Sequence, residues 1–191
     1  MSRVIVVTGL PRSGTSLLMQ MLDAAGVPLL VDDARPADED NPCGFHEYAP
    51  VKRLDRDSSW LPMARGKAVK VVAPLLPHLP SDLPCDVLFI QRSMEEVLDS
   101  QRAMLARKGL PTPAPDEDER LRGLFERSLE AARRWSASAS DARLLDVSHG
   151  ELLKHPEQAA RRIAAFLGLD ERHALMAAVV DASLHRQRAQ Q

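Results

Sequence analysis

The sequence predicts an α/β fold of three layers, a central parallel sheet between helices. Three observations point there. The chain opens on a β-branched apolar run, Val4–Thr8, of the kind that suits a strand covered on both faces. Further short apolar runs at 68–73, 86–91 and 143–147 each precede a helical pattern, the alternation that parallel strands with right-handed crossovers require. A Gly-rich turn joins the first run to the first helix. The 191 residues are one domain's worth of chain, so 1–191 is read as a single domain with 182–191 a frayed tail.

Each element has a local reason. After the first strand, Leu17, Leu18, Met21, Leu22 and Ala25 recur at helical spacing, and Gly26 closes that helix. From Asp32 to Gly44 the chain is acidic and carries two prolines, which predicts an exposed loop of unusual length. Behind the strand at 86–91, Ser93 caps a helix and Glu96, three residues on, completes a capping box; that helix runs to about Arg107. The stretch from Lys108 to Pro115 breaks it. Asp116 to Glu119 then open another helix with acids where its dipole favours them, and Leu121, Leu124, Phe125 and Ala132 supply its apolar face. From Glu151 to Val180 the pattern is helical, with Ile163, Phe166, Leu167, Leu175, Met176, Val179 and Val180 expected inside.

Charge narrows the partners. With 25 Lys+Arg against 27 Asp+Glu, the chain lacks the cationic excess that nucleic acid or an anionic membrane surface would call for. Cys43 and Cys85 stand far apart with no C-x-x-C pair, which suggests neither a disulfide framework nor a zinc site and fits a reducing cytoplasm. No run approaches the ~20 apolar residues that span a bilayer.

The chemistry concentrates between the first strand and the first helix, at Gly9-Leu10-Pro11-Arg12-Ser13-Gly14-Thr15-Ser16. Backbone N–H groups and a helix N-terminus converge on an anion in such a turn. Both glycines and the final serine match G-x-x-x-x-G-K-[ST], yet Thr15 stands in place of the lysine that reaches the outer phosphates of a nucleoside triphosphate. The positive charge sits instead at Arg12. An altered P-loop kinase or NTPase, with Asp146 as a Mg²⁺-holding acid, is therefore the weaker enzyme reading, and a catalytically silent nucleotide-binding protein is the other alternative.

Pro11-Arg12-Ser13-Gly14-Thr15-Ser16 resembles the 5'-phosphosulfate loop of sulfotransferases that use 3'-phosphoadenosine 5'-phosphosulfate (PAPS), in the manner of a small bacterial member with a P-loop NTPase-like architecture. The resemblance implies that Pro11, Arg12, Ser13, Gly14, Thr15 and Ser16 cradle the donor, with Arg12 on the transferring sulfuryl group and the bridging oxygen. It continues at Arg92 and Ser100, an Arg at a strand end and a Ser eight residues on, which in that family grip the 3'-phosphate. Two helical turns separate such a pair, so both side chains are able to face one phosphate. The stretch 145–169 is similar to the late part of the family, with His149 where Tyr is frequent. Arg186 and Arg188 read as part of a solvated tail rather than as a further grip on the 3'-phosphate.

Transfer then needs a base for the proton of a hydroxyl or amine acceptor and no metal, because the cationic loop supplies the charge stabilisation. The candidates are Glu47, His78 and His46; the resemblance favours Glu47, and His78 is the rival because some members place a histidine after a comparable strand. Lys70 reads as a lysine that snorkels from its strand, with a role in holding the sulfate as the alternative. The acceptor, a small molecule, carbohydrate or peptide, is expected to sit near 32–57 and 109–115.

Overall fold

In the computed structural model, residues 2–32, 34, 44–111 and 113–180 are described. Most of the loop expected at 32–44 falls outside them, as do Cys43, Arg186, Arg188 and the expected frayed tail. The sheet is parallel throughout: β1 (Val4–Thr8), β2 (Ala68–Lys70), β3 (Cys85–Gln91) and β4 (Ala142–Ser148), in the order β2-β1-β3-β4. The helices are α1 (Thr15–Ala24), α2 (Met94–Arg107), α3 (Pro115–Ser138), α4 (His149–Lys154), α5 (Pro156–Leu167) and α6 (His173–Ala178), with 3₁₀ turns between several of them.

Alternation along the strands sorts the apolar residues into two cores, one on each face of the sheet. Val4, Val6, Val69, Val87 and Phe89 pack with Leu76, Trp60, Phe125, Ala132 and Trp135, so α3 and the 3₁₀ turns cover that face. Val7, Leu88, Ile90 and Val147 pack with Leu18, Met21, Leu22, Leu152, Ile163 and Met176 from α1, α4, α5 and α6. The three-layer α/β/α arrangement follows from strands that are apolar on both sides, as their sequences predict.

Local signals act where they were read. Gly26, at φ 71°, follows the end of α1, and Ser93 Oγ accepts the Glu96 N–H at 3.2 Å at the start of α2. Three expectations need correction. The strand at 68–73 ends at Lys70, and Ala73–His78 forms a 3₁₀ turn instead, with Pro74 and Pro77 removing the N–H groups that a longer strand would pair. Leu124 is 53% exposed, because α3 buries the stripe of Phe125, Ala132 and Trp135 and Leu124 lies beside it. Leu175 is 55% exposed because the short α6 turns only Met176 and Ala177 inward.

The strand order positions the site. From β1 the chain crosses to β2 on one side, whereas β3 leads to β4 on the other, so the loops leaving β1 and β3 diverge. The switch point this makes at the carboxyl edge of the sheet is where open α/β sheets form the crevice that binds ligands. The opposite edge is held by ions: Asp86 on β3 is 5% exposed and accepts from Arg3 Nε at 2.7 Å and from Arg143 Nε and Nη2 at 2.7 Å each. Among the described residues no helix is long and apolar enough to cross a membrane.

Candidate active site

The turn after β1 is built around glycines for steric reasons. A β-carbon at Gly9 would lie 2.5 Å from Ser13 Oγ and 2.6 Å from the Ile90 carbonyl oxygen; one at Gly14, where φ is 103°, would lie 2.6 Å from His149 Cδ2. Ser13 closes the turn by donating both its N–H, at 3.1 Å, and its Oγ, at 2.7 Å, to the Leu10 carbonyl. Arg12 is left-handed, φ 70°, a conformation that L-residues hold only where the surroundings enforce it. Gly14 caps α1 without a side-chain hydrogen bond, so the positive end of the helix dipole faces the turn.

Cationic side chains gather on this turn. Arg12 Nε donates to Ser100 Oγ on α2 at 3.1 Å. Arg92, leaving β3, donates Nη1 to the Arg12 carbonyl at 3.1 Å and Nε to Glu96 Oε2 at 3.2 Å, with the Arg92 side chain 7% exposed. The loop thus brings Arg12 together with Arg92 and Ser100, 80 and 88 positions away in the chain, because β1 and β3 are adjacent. Lys70 corrects the snorkel expectation. It is 6% exposed, and its ammonium turns inward to Ser16 Oγ at 2.9 Å and to the Phe45 carbonyl. A lysine at the end of a strand that is apolar on both faces was the available signal: β2 lies against β1, so the charge had to be placed at the shared carboxyl edge.

The base candidates separate. The Phe45 carbonyl also accepts from Ser16 Oγ at 3.5 Å, which seats the stretch 44–48 on the first turn of α1 and brings Glu47 and His46 into the neighbourhood of the loop. The Glu47 carboxylate is half-buried with Lys52 Nζ at 3.4 Å. His46, left-handed at φ 49°, has its pKa lowered, first by burial and then by the Lys70 charge, with Asp23 opposing. His78 is not brought to the loop. The 3₁₀ turn that follows β2 begins beside the loop at Ala73, whose N–H meets the Gly9 carbonyl. By Leu79, whose carbonyl accepts from Trp135 Nε1 at 2.9 Å, it has reached the last turns of α3, and His78 itself is exposed. Asp146 lies on the edge strand β4 with its carboxylate on Arg133, at 3.1 Å, and on Gln91 Nε2, at 2.7 Å, a structural pairing rather than a free metal-holding acid. His149, 7% exposed, packs against Gly14 and was expected only as a substitution for Tyr. Among the described residues no cluster of His, Cys, Asp or Glu has the arrangement to hold a metal ion.

A parallel sheet with a Gly-rich turn from strand to helix at its switch point defines an open-sheet α/β protein. A profile of the sulfotransferase domain matches residues 2–190, so the chain belongs to the sulfotransferase family. No curated relative matches it. Solved structures agree on the fold. The sulfotransferase domain from the curacin biosynthetic pathway superposes with a TM-score of 0.56 at 17% identity, over 96% of this chain and 89% of that one. Sulfotransferase STF9 from Mycobacterium avium gives 0.60 at 14% identity, over 98% of this chain and 69% of that one. The sulfotransferase domain of the Synechococcus PCC 7002 olefin synthase gives 0.50 at 15% identity, over 97% and 83%.

Proposed function

We propose that this chain, acting as one domain, transfers a sulfuryl group from PAPS to a hydroxyl or amine of a small-molecule, carbohydrate or peptide acceptor in the cytoplasm. The observation that carries the reading is the meeting of Arg12, Arg92 and Ser100 on one Gly-rich turn at the head of α1. PAPS supplies a sulfuryl group on a phosphate that leaves readily. Arg12, the loop amides and Lys70 concentrate positive charge where the departing phosphate oxygen gains negative charge, which is worth most in the transition state. Arg92 and Ser100 flank the loop from the β3 side and are assigned to the 3'-phosphate, the group that separates PAPS from ATP. Glu47 is assigned to take the acceptor proton as the new O–S or N–S bond forms, because the Phe45 contact holds its segment against α1. Glu47 is preferred to His46, whose basicity burial and the Lys70 charge reduce, and to His78, which lies exposed on the far run of the 3₁₀ turn.

Calorimetry tests the donor assignment. The product 3'-phosphoadenosine 5'-phosphate should bind without Mg²⁺ and at least tenfold more tightly than AMP, since a charge-assisted hydrogen bond is worth roughly 1.5–3 kcal/mol. Equal affinities would reject the 3'-phosphate assignment. Transfer of ³⁵S from labelled PAPS to a panel of phenols, sugars and amines then identifies the acceptor class.

A further inference from the structure

Arg92 makes a contact that recognition of a nucleotide phosphate does not call for. Its Nη1 donates to the backbone carbonyl of Arg12 at 3.1 Å. The other end of that same peptide unit, the Ser13 N–H, donates to the Leu10 carbonyl at 3.1 Å. The Arg12–Ser13 peptide is therefore held at both poles, and this is the peptide that follows the left-handed residue at φ 70°. A flip of the peptide would exchange its N–H and C=O ends and reverse a dipole beside an anion site. Both holding bonds would have to break for that. Arg92 is itself aimed: Glu96, one helical turn ahead of Ser100 on α2, accepts from its Nε at 3.2 Å, and Ser100 accepts from Arg12 Nε at 3.1 Å. The bonds close a ring from α2 through Arg92 to the Arg12 backbone, and from the Arg12 side chain back to α2.

We propose that Arg92 is a positioning residue of the phosphate loop: through Nη1 it locks the Arg12–Ser13 peptide in the orientation that forms the anion cradle, apart from any contact it makes with the nucleotide. This deepens the sulfuryl-transfer reading and rests on it for the identity of the nucleotide alone. A side chain that recognises only a 3'-phosphate is silent toward ligands lacking one. A side chain that orders the loop affects every anion the loop holds, and affects the empty loop as well.

The test uses the full chain as wild type, Arg92→Ala and Arg92→Lys, with thermal unfolding to show that each variant is folded. The Lys variant keeps a cation near the 3'-phosphate but lacks the planar fork that spans Glu96 and the Arg12 carbonyl together. In the ligand-free protein, amide hydrogen exchange at Ser13 should be about tenfold or more faster in both variants, with Val7 in β1 unchanged. Affinity for AMP, which has no 3'-phosphate, should fall about fivefold or more in both. The preference for 3'-phosphoadenosine 5'-phosphate over AMP should collapse in Arg92→Ala but stay within about threefold of wild type in Arg92→Lys. Unchanged Ser13 exchange in both variants, or AMP affinity unchanged in Arg92→Ala, overturns the proposal. If wild type shows no preference between the two nucleotides, the 3'-phosphate reading fails while the exchange and AMP results still decide the loop role. Should Arg92→Ala not fold, the exchange at Ser13 in Arg92→Lys decides it.

Discussion

Arg12 joins two roles that its neighbours divide, since its backbone shapes the loop and its guanidinium is the charge assigned to the transferring group. Its side chain rests on Ser100 Oγ. Arg12→Ala should lower kcat about 10²-fold, the usual cost of removing one donor aimed at developing charge, while the dissociation constant for 3'-phosphoadenosine 5'-phosphate rises only a few-fold. A raised KM at normal kcat in steady-state kinetics would make it a binding residue alone. Glu47→Gln should keep nucleotide affinity within a few-fold and reduce transfer by ~10²–10⁴, whereas His78→Ala, altering an exposed side chain on the far run of the 3₁₀ turn, should leave both near wild type. The reverse result in a transfer assay would move the proton to His78. His46 gives a pH signature. Its folded pKa lies below the ordinary 6.5, so the unfolded chain binds the proton more readily, and its stabilising contribution is complete above pH 6.5 and is lost as pH falls below that value. His46→Asn, which tolerates φ 49° without titrating, should lose less stability than wild type between pH 6.5 and 5 in urea melts.

Among the elements, β3 does the most joining. Its carboxyl end delivers Arg92 to the loop, and its amino end holds Asp86 between Arg3 and Arg143. The Asp86 carboxylate is 8% exposed, and the Arg3 and Arg143 side chains are 27% and 54% exposed. Removing a buried ion's partner costs about 3–5 kcal/mol, and partial hydration of both guanidiniums lowers that figure, so Asp86→Ala should cost roughly 2 kcal/mol by urea unfolding with nucleotide affinity unchanged. A loss of affinity without a loss of stability would show that the far edge of the sheet communicates with the cradle. The same strand shows what local reading reaches. Cys85–Gln91 was legible as an apolar run ending in a turn signal, and Ser93 as the cap of the helix behind it, because both are contiguous patterns. The ion cluster was not, because Arg3, Asp86 and Arg143 are separated by more than fifty residues at each step and nothing in the runs around them marks a partner.

Across the fold, the crevice at the carboxyl edge is where ligand binding should register as stability. A ligand at about 100 times its dissociation constant adds ~2.7 kcal/mol to the native state. For a chain of this length that corresponds to an upward shift of roughly 5–10 °C in Tm. Saturating 3'-phosphoadenosine 5'-phosphate should produce it in a thermal melt without metal, and ATP with Mg²⁺ should produce less; the opposite order would favour a kinase-like site. Leu22 lies in the core on the α1 face of the sheet, so Leu22→Ala should lower Tm while the nucleotide-induced shift persists.

By itself the sequence determined the layers and the loop. Strands apolar on both faces demand helices on both sides, and the spacing of Gly9 and Gly14 around Arg12 demands a tight turn from strand to helix; each is a property of neighbouring residues and local sterics. Only the tertiary structure decided how the cations meet there. The placement of β1 between β2 and β3 puts Lys70 beside Ser16 and Arg92 against the Arg12 carbonyl, and the 3₁₀ turn carries His78 off toward the end of α3. Those contacts bridge residues 50 to 90 positions apart. Their distances depend on strand order and crossover path, which no window of contiguous residues encodes.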